Sequence, residues 1–183
     1  MSITSPILIA FGSNIDPLAN LWHGLWRLHT EIGLCAISTV YRTPALPDPE
    51  ARGPSPDFLN GAVRVETLYD PLTLKKVLRN IEIALHRVRS PWHHAPRTLD
   101  LDIALMGHCT LQTEALILPD PDILHRPFLA IPLAELAPHY LHPVARVPLS
   151  QIATRFPDRL TVDEAATALL QSIMQGREEW RFP

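Results

Sequence analysis

Cysteine is almost absent from this chain: 183 residues contain two, Cys35 and Cys109. They stand apart with no partner at metal-ligand spacing, so the expectation is two reduced, buried thiols without a function. Lysine is equally scarce, because 14 of the 16 cationic side chains are arginine and only Lys75 and Lys76 are not. A net charge of −3 supplies no basic field of the kind non-specific nucleic-acid binding requires, so no nucleic-acid partner is expected. Long apolar runs are missing too. "PILIAF" and "DIALM" fall far short of the roughly 20 residues of a membrane helix, and no basic start followed by a long apolar stretch opens the chain. No membrane partner and a cytoplasmic location are therefore the expectation. There is no internal repeat or low-complexity tract, no G-x-x-x-x-G-K-[ST] loop and no G-x-G-x-x-G, so phosphates would have to be gripped by arginine and metal rather than by a glycine-rich loop.

What is present suits a globular protein. Hydrophobic residues make up 46% of the chain and charged residues 19%, enough to build a core in a single domain over 1–183. "PILIAF" running into Gly12-Ser13-Asn14 predicts a buried strand ending in a tight loop. Asp16-Pro17 then reads as a helix cap with proline at the first turn, followed by Leu18, Leu21, Trp22, Leu25, Leu28 and Ile32 at helical spacing. "CAISTVYRT" (35–43) predicts a second strand. Five prolines between 44 and 56 mark a long loop, either a binding loop or disordered. "DFLNGAVRVET" (57–67) alternates as a strand that puts Phe58 and Asn60 on one face. Asp70-Pro71 repeats the cap signature ahead of a helix with Leu74, Val77, Leu78, Ile81, Leu85 and Val88 as its buried stripe and with Glu82, Arg87 and Arg89 off it. "RTLDLDIALM" supplies the fourth core strand.

The order β-α-β-β-α-β is that of a ferredoxin-like α+β domain with an antiparallel sheet. The core is expected over about 5–140. Extra C-terminal strands and helices follow: a strand at 110–118, a short helix near 127–137 and, within an extension over about 143–183, a helix at 163–175 starting from Asp163.

On a strand, residues two apart point the same way, so Asp100 and Asp102 face together while Leu99, Leu101 and Ile103 face the core. Two carboxylates so placed need a cation. One reading is a solvated strand face; the other is a pair of hard oxygen ligands for Mg²⁺, which is usually shared between one or two carboxylates and substrate phosphates. Arg87, Arg89 and Arg97 lie close in sequence, and metal plus an arginine clamp is the equipment of phosphoryl transfer. Adjacent His93 and His94 in a loop are poorly placed to ligate one zinc ion.

"AFGSN", "YRTPAL", "DFLNGAV", "RVR", "PRTLDLDIALMG" and "RPFLAIPLAELAP", in that order from about residue 7 to 140, together resemble the 6-hydroxymethyl-7,8-dihydropterin pyrophosphokinases of folate biosynthesis. The resemblance implies a ferredoxin-like fold and an ATP-dependent transfer of pyrophosphate to the pterin hydroxymethyl group, giving AMP and the pterin diphosphate. It implies that Asp100 and Asp102 bind two Mg²⁺ ions bridging the ATP phosphates and the attacking oxygen. Arg87 and Arg97 would stabilise the charge moving onto the leaving group, with Arg89, Arg126 and Glu82 as further nucleotide contacts. Phe58 and Phe128 would stack on the pterin, and Asn60 with Thr43, Pro44 and Leu46 would bond or cover it, which suits a ring that is apolar on its faces and polar at its edge. The loops at 44–56 and 90–95 would close over the substrates. Partners are then small molecules only, and the protein a monomer or weak homo-oligomer.

Several positions depart from the family pattern. His86 and Ala95 stand where glycines are usual, Trp92 is displaced with His94 in its place, and "LPDP" puts Asp120 where the family has a nucleotide-contacting histidine. A carboxylate there would repel phosphates. These departures leave open a paralogue acting on a related pterin in another pathway, or a non-catalytic ferredoxin-like binding or regulatory domain. A metal-dependent phosphate-ester hydrolase ranks below both, since no general base stands beside the aspartates.

Overall fold

The apolar run at the start forms β1 (Ile7–Ser13), buried along nearly all its length, because both faces of the sheet are covered there. The chain is seen here as a computed structural model that describes residues 6–45, 56–88, 95–156 and 160–176. β1 pairs antiparallel with β4 (Phe58–Val65) on one side and β5 (Asp100–Met106) on the other. β2 (Leu34–Ile37) and β3 (Tyr41–Thr43) both pair with β4, and β8 (Thr161–Val162) adds to β3. The main path across the sheet is β5-β1-β4-β3-β8. With α1 (Pro17–Glu31) after β1 and α2 (Pro71–Ala84) after β4, this is the expected α+β order with an antiparallel sheet.

Two cores flank the sheet. Leu21, Leu25 and Leu28 of α1 and Leu74, Leu78 and Ile81 of α2 pack on Ile9, Leu101 and Ile103, joined by Ala166, Leu170 and Ile173 from α5 (Glu164–Gln171) and the 3-10 turn Ser172–Gln175. On the other face Leu8, Ala62, Ala104 and Leu105 meet Ala130 and Leu133 of α3 (Pro127–Leu136) and Leu149 and Ile152 of α4 (Leu149–Ala153). The C-terminal elements thus take part in both cores. A bulge lets β5 serve both faces: Leu8 lies opposite Leu105 but Ile9 opposite Ile103, leaving Ala104 extra. Its carbonyl accepts from Asp120 N at 2.8 Å, which ties the following 3-10 turn, Pro121–Leu124, to the sheet.

The structure corrects several expectations. The strand expected over 35–43 is broken into β2 and β3, because the backbone between them turns to other partners: Ser38 exchanges bonds with Ala62, Thr39 N donates to Glu135 Oε2 at 2.8 Å, and Val40 N donates to Thr167 Oγ1 at 2.9 Å. The segment 110–118 forms a hairpin of β6 (Leu111–Gln112) and β7 (Ile117–Leu118) rather than one strand. Asp16 stands at the N-cap of α1 in a left-handed conformation, φ 40°, and its side chain makes no cap bond, whereas Asp70 accepts from Leu72 N and Thr73 N at 3.0 and 3.1 Å. Val88 is exposed because α2 has already ended at Ala84, and Glu82 is buried rather than off the stripe. Cys35 and Cys109 are free thiols, half-buried rather than buried. Among the described residues no helix is long and apolar enough to cross a membrane.

His86, where the resemblance implies glycine, has φ 59°. Histidine tolerates that region better than most residues, and a β-branched residue hardly at all. His86→Val is expected to lower the unfolding free energy by about 1 to 2 kcal/mol while His86→Gly keeps or raises it, read from urea midpoints at constant slope.

Candidate active site

The register across β5, β1 and β4 lays out the floor of the site. Gly12 is the Cα partner of Asp100 on one side and of Asn60 on the other, and Ala10 stands between Asp102 and Ala62 in the next row. Cross-strand partners share a face, so Asp100, Asp102 and Asn60 all point to the α3 side of the sheet. Gly12 is required there: a Cβ on it would lie 2.5 Å from Asn60 Oδ1. Beside Asn60, its Nδ2 donates to Thr43 Oγ1 at 2.7 Å, fixing which way the amide points. A cleft of about 330 Å³ opens over this floor.

Asp100 is held by two arginines. Arg87 Nη1 donates to one carboxylate oxygen and Arg97 Nη1 to the other, and the side chain is 19% exposed. Burial would raise its pKa, but the charges of Arg97 and Arg87 outweigh that and hold the carboxyl below the usual range. Arg87 Nη1 also reaches Glu82 Oε1 at 2.6 Å and the Leu99 carbonyl at 3.0 Å. Burial works against its charge, yet the carboxylates of Asp100 and Glu82 prevail and push the guanidinium up. Glu82 itself is raised by burial, only partly offset by the Leu101 N–H that bonds Oε1 at 2.9 Å and by Arg87. Glu82 thus joins the end of α2 to β5 and fixes Arg87 from behind.

Arg97 is positioned from β1. Its N–H donates to Asn14 Oδ1 at 2.7 Å, its carbonyl accepts from Asn14 N at 3.1 Å, and Ser13 Oγ donates to the Thr98 carbonyl at 2.6 Å. Ser13 and Asn14 are buried, and the segment carrying Arg97 is thereby stapled to the end of the central strand. The Arg97 guanidinium lies 6.0 Å from the centroid of the Phe58 ring. Asp102 has a different partner: Lys75 Nζ, on α2, stands 2.9 Å from its Oδ1. The pair of like charges in "LDLD" is therefore offset by three cations.

The cleft brings together Arg97, Asp100, Asp102 and Arg126 with Thr43, Pro44, Phe58, Asn60 and Phe128. Arg87 and Glu82 do not line it and stand one layer behind. Leu46, Arg89, Trp92, His93 and His94 lie outside the described residues. Asp120 does line the cleft, with Oδ1 accepting from Asp122 N at 2.8 Å to cap the 3-10 turn. Burial raises its pKa, opposed by that backbone bond and added to by Asp102. Sequence reasoning treated Ser13 and Asn14 only as a turn and did not single out Lys75; two buried polar residues ending an apolar strand were the available signal for the first pair, and nothing local marked the second.

Among the described residues no three His, Cys, Asp or Glu side chains group to hold a metal ion. Asp100 and Asp102 offer hard oxygens from two side chains, a donor set that fits Mg²⁺ completing its shell with substrate phosphate and water.

A profile of the 7,8-dihydro-6-hydroxymethylpterin-pyrophosphokinase family matches residues 8–138. The chain is 35% identical over 140 residues to a 2-amino-4-hydroxy-6-hydroxymethyldihydropteridine pyrophosphokinase of Synechocystis, covering 74% of this chain and 68% of that one. It is 32% identical over 156 residues to the protein of the same name from Haemophilus influenzae, covering 82% and 92%. The folic acid synthesis protein fol1 of Schizosaccharomyces pombe is 31% identical over 154 residues, but this chain covers only 20% of it. Among solved structures, an HPPK-DHPS in complex with substrates superposes over 83% of this chain and 43% of its own, TM-score 0.63 at 13% identity, and a Plasmodium falciparum HPPK-DHPS with TM-score 0.60 at 14% identity, covering 83% and 42%. At those identities the structures bear on the fold alone.

Asp100 carries the testable electrostatics of this site. Its folded pKa is lowered, so its contribution to stability is complete above the unfolded value of about 4 and is lost as pH falls below that. Without metal or nucleotide, Asp100→Asn is expected to cost about 3 kcal/mol at pH 7, because Arg87 and Arg97 are left facing each other. The gap from wild type should close as urea titrations are taken below about pH 4.

Proposed function

The chain belongs to the 7,8-dihydro-6-hydroxymethylpterin-pyrophosphokinase family and is an ATP-dependent diphosphotransferase of folate biosynthesis, and we propose from that premise how its own residues divide the work. The observation that carries the reading is the row Asp100–Gly12–Asn60. It sets Asp100 and Asn60 about 10 Å apart, two strand spacings, with glycine between them. A flat heterocycle can lie on that floor with its edge at Asn60 and its hydroxymethyl arm toward the aspartates.

The pterin stacks on Phe58 and Phe128, while Thr43 and Pro44 cover it and Asn60 reads its polar edge. The hydroxymethyl oxygen attacks the β-phosphorus of ATP in line and AMP leaves. Asp100 and Asp102 would hold two Mg²⁺ ions, which would supply charge neutralisation at the phosphate oxygens. Arg97, on the wall of the cleft, meets phosphate oxygens directly, and Arg87 follows as Asp100 turns to metal. Arg126 and Arg89 contribute to nucleotide binding. Glu82 acts through Arg87 and the Leu101 N–H, a positioning role in place of the direct nucleotide contact that the resemblance implies. The protein then acts as a monomer or weak homo-oligomer, a single domain over 1–183, on small-molecule substrates in the cytoplasm.

The test is AMP formation from ATP and Mg²⁺ with and without 6-hydroxymethyl-7,8-dihydropterin. Pterin-dependent AMP is expected from wild type, with Asp102→Ala reduced by about 100-fold or more in kcat, the scale of losing a positioned electrostatic group. ATP-dependent binding without AMP would instead favour the non-catalytic domain, and AMP with a different pterin only, the paralogue. Gly12→Ala should raise KM for the pterin about tenfold, equivalent to 1.4 kcal/mol, with the KM for ATP changed far less, because the new methyl displaces the Asn60 amide.

A further inference from the structure

Asp100 and Asp102 are treated as equals by their sequence spacing, yet their partners differ in kind. Asp100 has both oxygens taken by arginines within a half-buried network. Asp102 has one oxygen taken by one ammonium, with Lys75 27% and Asp102 47% exposed. A planar guanidinium fork is a fixed partner, whereas an ammonium on a flexible four-carbon stem is a point charge that exchanges readily.

We propose that Lys75 is the resident counter-ion of Asp102, standing where a divalent cation meets that carboxylate, and that on metal entry its ammonium moves to the phosphate oxygens of the nucleotide. The inference rests on the diphosphotransferase reading of this cleft. An ammonium 2.9 Å from Asp102 Oδ1 and a divalent cation on the same carboxylate would bring two positive centres within a few Å of each other, so the two compete for it. The charge balance of the cleft gives the displaced ammonium its destination. Among the described residues, Asp100, Asp102, Asp120 and Asp122 line the cleft with only Arg97 and Arg126 as cations, while Arg87 and Lys75 stand behind Asp100 and Asp102. A triphosphate entering a cleft with that surplus of acids needs a further positive contact, and Lys75 is the side chain whose partner metal has taken.

The first measurement is Mn²⁺ binding without nucleotide, followed by the loss of the free-ion electron-spin-resonance signal. Lys75→Met keeps the stem and removes the charge; it should bind Mn²⁺ about fivefold tighter than wild type, the scale of a partly exposed ion pair, while Lys75→Arg does not. Calorimetry with α,β-methylene ATP at saturating Mg²⁺ should show Lys75→Met binding the analogue about fivefold more weakly. Unchanged Mn²⁺ affinity, or unchanged analogue affinity, overturns the proposal. A measurement on wild type removes any dependence on that variant folding. With only Lys75 and Lys76 in the chain, reductive ¹³C-methylation, which keeps the charge, gives two lysine signals to resolve. The Lys75 signal should shift with Mg²⁺ alone and again with the analogue, and a signal indifferent to both overturns the proposal equally. None of these readouts uses turnover, so a failure of pterin-dependent AMP formation and a failure of this inference are distinguishable.

Discussion

The Asp100 carboxylate between Arg87 and Arg97 is the contact on which the rest of the site depends. It joins three pieces of chain that are distant in sequence or separately built: the exit of α2, the segment entering β5, and β5 itself. Each arginine is held by something further back. Glu82 fixes Arg87 and also accepts from Leu101 N, so the helix end and the strand share one carboxylate. Asn14 fixes the Arg97 backbone from the end of β1. Partly buried charges of this kind are costly unless every one has a partner, and the two arginines, two acids and bordering amides leave each of them satisfied. The arrangement is therefore specific about geometry even where its net contribution to stability is small.

The bulge in β5 extends that specificity to the far side of the cleft. A regular strand would turn Ala104 and Leu105 to opposite faces; the extra residue puts both into the α3–α4 core. It also frees the Ala104 carbonyl for Asp120 N, and the turn that follows delivers Asp122, Arg126 and then Phe128 to the cleft rim. One backbone irregularity thus sets the distance between the aspartates and the aromatic wall.

Much of this was legible in the sequence. Helical spacing located α1 and α2, alternation put Phe58 and Asn60 on one face, and the i, i+2 rule put Asp100 and Asp102 together; these are local periodicities that tertiary contacts reinforce. What was missed depends on contacts between distant segments. Nothing near Glu82 signals that it bonds a strand 19 residues later. The break between β2 and β3 is made by Glu135 and Thr167, both far along the chain, and the expected single strand had no local punctuation to divide it. Asp16 carries the same cap signature as Asp70 but a different backbone angle, because Asn14 and Ile15 are already committed to the Arg97 carbonyl.

Arginine and lysine usage, read at first as composition, divides the two aspartates by role. Asp100 meets forked, permanently charged partners through both oxygens, and such a carboxylate is a fixed reference for everything around it. Asp102 meets a single ammonium and remains half open to solvent, the condition under which a charge can change partner with little cost. The two carboxylates therefore start from different states, one held through both oxygens by two arginines and one held through a single oxygen by a lysine. Fourteen arginines and two lysines would be unremarked in a table of composition. One of the two lysines faces the more exposed of the two aspartates.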